Sequence, residues 1–287
     1  MKLTEKEINQ FYNLYKALLL YVNKKNSILS KIVSEGFLFE KAEKVRNYLV
    51  KNISIIDQYV AENPDHLNKE ELKIISSFKY GLCGDFFILK HDKVCTYLYD
   101  PENKKSYGID PLDEDLENFV FDELSGPVLV NMFLLPFKKR IIFDGILLFP
   151  KIFFGKNYER ELKAKYEEAI LKHGLITSFD YSESREVNEE ELLRFYLKND
   201  TNREIFFDNV MEIIEKNPSL EYILFSDTSK RHSRKIKSSL KKNEAKGYFA
   251  VLFDSVVASA SNKNDLEYRI AEVLPKNKRD WIYVFKI

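Results

Sequence analysis

The chain has 287 residues, 45% of them hydrophobic and 31% charged, so it can bury a sizeable core and is not a disordered polyelectrolyte. Lys plus Arg and Asp plus Glu balance at 45 each, which removes any whole-chain argument for a polyanionic partner and leaves only local patches to carry one. The longest apolar runs, "ALLLYV" at 17–22 and the Asp-Gly-containing "IIFDGILLF" at 141–149, fall short of the ~20 apolar residues of a spanning helix, so no membrane segment is expected.

Ile8, Phe11, Tyr12, Tyr15, Leu18, Leu19 and Val22 recur at the spacing of an amphipathic helix. Leu38, Ala42, Val45, Leu49, Asn52, Ile56 and Tyr59 alternate steps of three and four, which predicts one further helix running until Pro64 ends it. Asn68 followed by Glu71 is an Asn version of the capping box and opens a third helix to about Tyr80. Residues 1–79 are therefore expected as a helical layer.

From Gly81 the period changes. "DFFILK", "VCTYLY", "KKSYGI", "PVLVNMFLL", "RIIF" and "ILLFPKIFF" are short strands rich in aromatic and β-branched residues, separated by "HDK", "DPEN" and Asp144-Gly145. Asp-Gly suits a type I′ turn, whose two central residues need positive φ, so a hairpin joining 141–143 to 146–149 with Asp144 at its tip is expected. Lys138 to Arg140 then stand at its entrance, facing water. A helix follows from about Tyr158 to His173, stopped by Gly174. Residues 80–176 thus form an antiparallel β-rich region with a closing helix, in one unit with 1–79.

The polar stretch 177–189 is the expected linker, and 187–287 a second unit. It opens with helices capped at Asn188 and Thr201, the second ending before Pro218, and continues with a lysine-rich helix over 229–244. "GYFAVLF", "VVASA", a helix carrying Leu266, Ile270 and Leu274, and "WIYVFKI" complete it. A right-handed crossover sets the strand order as second, first, third, with one helix covering one face and the other face needing a partner. The helices at 188–244 are the nearest candidates. The fold class is α+β: a helical N-terminal layer, a central antiparallel sheet, and C-terminal helices with a small β-β-α-β module.

This last segment, 247–287, with its Gly-x-Tyr/Phe-x-Ala-Val pattern, its "VVA-small" strand and its spaced leucines, resembles a small bacterial and archaeal domain of unknown function with a β-β-α-β fold. "LLPFKKRIIFDGILLF" with "FFGK" after it, within 134–156, resembles uncharacterised proteins of low-GC bacteria. Neither resemblance brings an activity or a catalytic residue.

Cys83 and Cys95 are expected as free thiols. A hairpin turning at Asp92 sets Cys95 opposite Leu89 and Cys83 roughly 20 Å further along at ~3.3 Å per residue. With "MKLTEKEINQ" alternating charges rather than leading into an apolar stretch, the expected location is the cytoplasm. His66, His91, His173 and His232 lack metal-ligand spacing, the cysteines are not Cys-x-x-Cys, and glycine-rich phosphate loops and Gly-x-Ser-x-Gly are absent, so no metal, cofactor or catalytic residue is assigned. Asp144 with Glu161-x-Lys163 superficially fits a metal-dependent nuclease, but "YERELKAKYEEAI" has helical period where that chemistry needs a strand.

Charge is unevenly spread. Asp110, Asp113, Glu114, Asp115, Glu117, Asp122 and Glu123 crowd one connection, whereas 230–246 carries eight basic residues and one acid. At 100° per residue Arg231, Arg234, Lys235, Lys241 and Lys242 gather opposite Ile236 and Leu240, a basic stripe on a helix docked by a thin apolar edge. The stripe reads as a phosphate-contacting helix, the last of a helix-turn-helix over 188–244, or as a solvated face on a lysine-rich protein, or as a stripe that pairs with the acidic connection in the same or a neighbouring molecule. The expectation is a non-catalytic cytoplasmic interaction protein with a protein partner or self-association. Nucleic-acid binding through 230–246 is the alternative, and the metal nuclease the third reading.

Overall fold

The computed structural model describes residues 3–29, 39–110, 126–148, 150, 152, 154–179 and 187–287. The chain divides into two compact units, 1–186 and 187–287. The acidic connection beyond Asp110 and the middle of the linker, 180–186, lie outside the described residues.

In the N-terminal unit helix α1 (Glu5–Asn26) begins at a capping box, in which the Thr4 side chain accepts the Glu7 N–H and the Glu7 carboxylate accepts the Thr4 N–H. Its buried face keeps Phe11, Tyr15, Leu18, Leu19 and Val22 of the expected set and adds Leu14, while Ile8 and Tyr12 are only partly buried against it. The second predicted helix is two. α2 (Phe39–Lys51) stops, and α3 (Ile55–Glu62) restarts after a turn. The reason is local: the Asn52 side chain donates to Tyr48 O, and the Asn52 N–H is shared between Tyr48 O and Leu49 O, so the polar residue in the seam ends the helix. α4 (Lys69–Ser77) starts at Asn68 with the expected capping box.

Strands β1 (Leu82–His91), β2 (Thr96–Asp100), β3 (Lys105–Ile109), β4 (Val128–Phe137), β5 (Arg140–Phe143) and β6 (Leu175–Ile176) form one sheet in the order β5-β4-β1-β2-β3-β6. The sheet is mixed rather than purely antiparallel, because β6, fed by helix α5 (Lys156–His173), adds parallel to β3. Strands β4-β1-β2-β3 make a Greek key. The sheet curls until the end of β3 reaches β5, where the Asp110 N–H donates to Ile141 O at 2.8 Å and Arg140 pairs with Asp110 at 2.8 Å. The β1–β2 connection sets Cys95 opposite Asp92, not Leu89, because the turn falls at Lys93-Val94, where Asp92 Oδ1 accepts the Val94 and Cys95 N–H groups. Both cysteines are free thiols.

Strict alternation divides the strands into two faces. Phe86, Ile88, Val130, Met132, Leu134, Ile141 and Phe143 fill the concave side together with Leu98, Tyr107 and Ile109. On the convex side, Phe133, Leu135, Phe137, Ile142 and Ile146 meet α1 to α4, with Phe11 edge-on to Phe137 at 5.4 Å. Further along, Phe87 and Tyr99 meet Leu162 and Ala169 of α5.

The hairpin lies elsewhere than expected. Phe137 pairs with Arg140, so the two-residue turn is Lys138-Lys139, with φ of 46° and 61°. Asp144-Gly145 instead forms a bulge in the edge strand: from Leu134↔Phe143 to Asn131↔Leu148, β4 advances three residues and its partner five. Gly145 uses its positive φ of 80° there, and the Tyr12 ring sits 2.9 Å from where a Cβ would be. The pairing of Leu148 with Asn131 decides the matter, since the chain after Gly145 continues along β4 instead of turning back on β5.

In the C-terminal unit, helices α6 (Glu189–Tyr196), α7 (Asp200–Ile205), α8 (Phe207–Lys216) and α9 (Glu221–Lys242) precede β7 (Tyr248–Leu252), β8 (Ser255–Ala260), α10 (Lys263–Val273) and β9 (Tyr283–Lys286). The cap of α7 is Asn199 rather than Thr201, the helix predicted to reach Pro218 breaks at Phe206, and the basic helix begins eight residues earlier than expected, at Glu221. The strand order is β8-β7-β9, with both flanking strands antiparallel to β7 and so parallel to each other, as predicted. The β7–β8 turn is Phe253-Asp254, one residue before the expected Asp254-Ser255. Leu266, Ile270 and Leu274 of α10 cover one face, and Ile236 and Leu240 of α9 cover the other, which is the docking predicted for the open face.

Lysines hold positive φ poorly, because the Cβ crowds the backbone by about 1–2 kcal/mol per residue. Lys139→Gly is therefore expected to stabilise the N-terminal unit by about 1 kcal/mol in urea unfolding. An unchanged or lower stability shows that the turn is not strained.

Candidate functional site

Two places concentrate chemistry, one in each unit. In the N-terminal unit the convex face of the sheet carries polar side chains under α1 and α2. Asp144 comes from the bulge, Asn131 from β4, Asp85 from β1, Arg46 from α2 and Tyr15 from α1. Arg46 and Asp144 are fully buried, with Arg46 Nη1 3.9 Å from Asp144 Oδ2. Arg46 also donates to Asn131 Oδ1 at 2.8 Å and to Ile146 O at 3.2 Å. The Asn131 amide passes the chain outward by donating to the exposed Asp85 at 2.7 Å.

Asp144 is held on both oxygens. Oδ1 accepts the backbone N–H groups of Phe133 and Ile146, each at 3.3 Å, and Oδ2 accepts the Tyr15 hydroxyl at 3.2 Å. The Phe133 N–H is a ladder donor that the bulge leaves without a carbonyl, so the carboxylate stands in for one. Burial pushes the Asp144 carboxyl up to about 7, against the pull of Arg46, the two N–H groups and Tyr15. Burial, reinforced by the Asp144 charge, raises the Tyr15 hydroxyl well above its ordinary value, so it remains a donor. The half-buried Cys83 thiol is likewise raised, chiefly by burial.

This arrangement is a sealed structural network. The Asp144 side chain has no exposed surface among the described residues. Nor does the structure assemble the nuclease constellation: Asp144 faces Arg46 and Tyr15, while Glu161 pairs with Lys165 along α5 at 2.6 Å. Among the described residues no group of three or more His, Cys, Asp or Glu could hold a metal ion. Helix α5 packs on β2 and β3, where Tyr99 meets Leu162 and Ala169 and Ser106 donates to Tyr166 O at 3.4 Å.

In the C-terminal unit α9 displays the predicted basic stripe, with its members in different states. Arg231 is half-buried and pairs with Asp227 at 3.3 Å, one turn earlier, and Arg203 pairs with the same carboxylate at 3.1 Å. Its charge is therefore spent within the unit. Arg234, Lys235, Lys241 and Lys242 are exposed and make no described hydrogen bond or ion pair. Asp200 is held below its ordinary value by its hydrogen bond to Arg203 first, with Arg231 and Arg234 adding to the field. Ser229 fixes the helix to the sheet: fully buried, its hydroxyl donates to Trp281 O and accepts the Phe253 N–H, both at 2.8 Å.

A cleft of about 610 Å³ lies beside the N-terminal half of α9, lined by Arg194, Lys198, Tyr222, Lys230 and Arg279 among others. Sequence reasoning missed it, since its walls come from three separated segments. It also missed the buried cluster, whose only signals are two polar interruptions of apolar patterns. Arg46 stands four residues after Ala42 and three before Leu49, and Asp144 divides "IIF" from "ILLF".

No family model, no curated protein and no solved structure matches this chain. No described helix is long and apolar enough to cross a membrane.

Removing one member of a buried pair strands the other. Arg46→Met is expected to destabilise the N-terminal unit by about 3–5 kcal/mol, and Arg46→Met with Asp144→Asn by less than the sum of the single changes. Additive losses in urea unfolding show that the two side chains are not coupled.

The Asp144 carboxyl is raised on folding, from an ordinary value of 3.8 to about 7, so the folded state holds the extra proton between those limits. Its contribution therefore favours folding most at the acid end of that window, declines as pH rises through it, and is constant above about 7. The wild type minus Asp144→Asn difference in unfolding free energy, followed by pulse-labelled hydrogen exchange across β4, should show this decline. A difference independent of pH from about 4 to about 8 contradicts it.

Proposed function

We infer that this protein is a non-catalytic cytoplasmic binding protein whose C-terminal unit holds the phosphate backbone of a nucleic acid along the exposed face of α9. The observation that carries this reading is the set Arg234, Lys235, Lys241 and Lys242, unpaired among the described residues and exposed on a helix whose other side is held to the sheet by Ile236 and Leu240. Surface cations usually meet carboxylates on their own helix, as Lys216 meets Glu212 at 2.5 Å. These four do not, so their charge is available to an external anion, and a helix pinned by Ser229 offers it without reorganising.

The chemistry favours backbone contact over base readout, because long cationic side chains on one face position a duplex without reading its sequence. Aromatic side chains do not interleave the stripe, so stacked single strands fit it less well than a duplex. With no net charge on the whole chain, the attraction is local and strongly screened by salt.

The test is fluorescence anisotropy with short DNA and RNA duplexes at about 50 and about 200 mM salt. Changing Arg234, Lys235, Lys241 and Lys242 together to Gln is expected to weaken binding and to lower the salt slope by up to ~0.9 for each phosphate the variant no longer neutralises. Absence of wild-type binding at the lower salt overturns this reading. If the stripe instead meets the acid-rich connection around Asp113 to Glu117 of a second copy, the same variant changes sedimentation and leaves anisotropy flat.

A further inference from the structure

The cleft beside α9 is built from three segments. Arg194, Leu197 and Lys198 come from the end of α6, and Tyr222, Ile223, Ser226, Asp227 and Lys230 from the first half of α9. Arg279, Asp280 and Ile282 come from the segment leading into β9. Its volume of about 610 Å³ falls in the range of small-molecule sites. Leu197 and Ile223 are buried and with Ile282 provide an apolar wall, while Tyr222 and Ser226 bring hydroxyls.

The formal charge of the lining residues is cationic. Arg194, Lys198, Lys230 and Arg279 face Asp227 and Asp280, an excess of two positive charges. Arg194 is met by Glu190, and Asp227 by Arg203 and Arg231, so among the described residues Lys230 and Arg279 are the lining cations with no carboxylate paired to them. Asp227 is thus already engaged by two guanidinium groups, the Arg231 Nε lying 3.3 Å from it, and the buried Nε of Arg203 makes no hydrogen bond among the described residues. Donors outnumber acceptors at this end of α9.

Arg279 is the most informative residue. Its Nε donates to Leu274 O at 3.1 Å and its Nη2 to Ala271 O at 2.9 Å, so the guanidinium is immobilised by two uncharged carbonyls at the end of α10. A guanidinium oriented by carbonyls rather than carboxylates keeps its full charge and presents its remaining N–H groups already aimed. The Lys230 side chain, exposed at the rim, makes no described hydrogen bond or ion pair. One fixed fork, one ammonium without a described partner, two hydroxyls and an apolar wall are the parts that hold a phosphate attached to an apolar or aromatic body.

We propose that this cleft binds a small phosphomonoester of about mononucleotide size, with Arg279 and Lys230 on the phosphate and Leu197, Ile223 and Ile282 against the rest of the ligand. The site goes beyond the duplex contact assigned to the far half of α9 and does not depend on it. Ile223, Asp227, Lys230, Arg234 and Lys241 follow at steps of four, three, four and seven, so the cleft opens along the helix face that continues into Arg234 and Lys241. The phosphate could therefore belong to a free nucleotide or to the end of a strand, and the two sources are distinguished by experiment.

The measurement is calorimetric titration of the full chain with AMP, adenosine, inorganic phosphate, and 5′-phosphorylated and 5′-hydroxyl oligonucleotides. AMP is expected to bind, inorganic phosphate to compete with it, and adenosine to bind at least about tenfold more weakly. Lys230→Met, which removes no internal hydrogen bond or ion pair, and Arg279→Met should each weaken AMP by about tenfold or more. A 5′-phosphorylated strand that displaces AMP better than its 5′-hydroxyl counterpart identifies a strand end as the ligand, displacement by neither strand identifies the free nucleotide, and equal displacement by both overturns recognition of a phosphomonoester. Lys241→Gln with Lys242→Gln should leave AMP binding unchanged, so absence of duplex binding with retained AMP binding sinks the duplex reading alone. Failure of both AMP and phosphate to bind, or AMP binding indifferent to Lys230→Met, overturns the cleft.

Discussion

One buried charge pair governs how the N-terminal unit is assembled. Arg46 and Asp144 lie with no exposed side-chain surface, between a helical layer and a sheet that are otherwise joined by apolar side chains. Taking two such ions out of water costs several kcal/mol each, and their 3.9 Å separation does not by itself offset that. The remainder comes from geometry: the Ile146 carbonyl and the Asn131 amide for Arg46, two N–H groups and the Tyr15 hydroxyl for Asp144. Those partners come from three parts of the unit: α1 through Tyr15, strand β4 through Asn131 and Phe133, and the segment after β5 through Ile146. A shift of α1 or α2 against the sheet would strand a charge, whereas an apolar interface alone would tolerate several registers.

The bulge and the pair depend on each other. Asp144 faces the helices only because the two extra residues of the edge strand turn it onto the convex side, and the bulge is closed only because its carboxylate takes the Phe133 N–H. Gly145 makes this possible through its positive φ and the room it leaves for Tyr12. The hairpin is then displaced to Lys138-Lys139, where the turn is unfavourable for lysine but lets Ile141, Ile142 and Phe143 divide correctly between the two cores. Sheet register, involving several buried side chains, outweighs the ~1–2 kcal/mol preference of a single turn residue.

The C-terminal unit separates adhesion from display. α9 gives Ile236 and Leu240 to one face of the three-stranded sheet, and Ser229 locks it at the opposite end of the strands. The rest of its circumference is committed to charge. Its first half meets Arg279 and Lys198 across a cleft, and its second half is open to solvent. A rigid helix with one anchored edge can hold cations in place without carboxylates to order them, which is what an anion-binding surface needs.

Periodicity by itself determined much of this protein: the helices of residues 1–79, the strands that follow, the β8-β7-β9 order and the need for a second layer on that sheet. These are consequences of which positions are apolar, and apolar spacing reports the solvent-facing and buried sides of an element directly. The basic stripe was legible for the same reason, since a helix fixes angular positions from spacing alone. Only the tertiary structure decided that Arg231 is spent on Asp227, that Arg46 is buried beside Asp144, and that Arg279 reaches a cleft with Lys230. The partners of a charge come from segments far apart in the chain, and whether a charge is paired, sealed or available depends on the local dielectric and on those partners, neither of which its own neighbours in sequence encode.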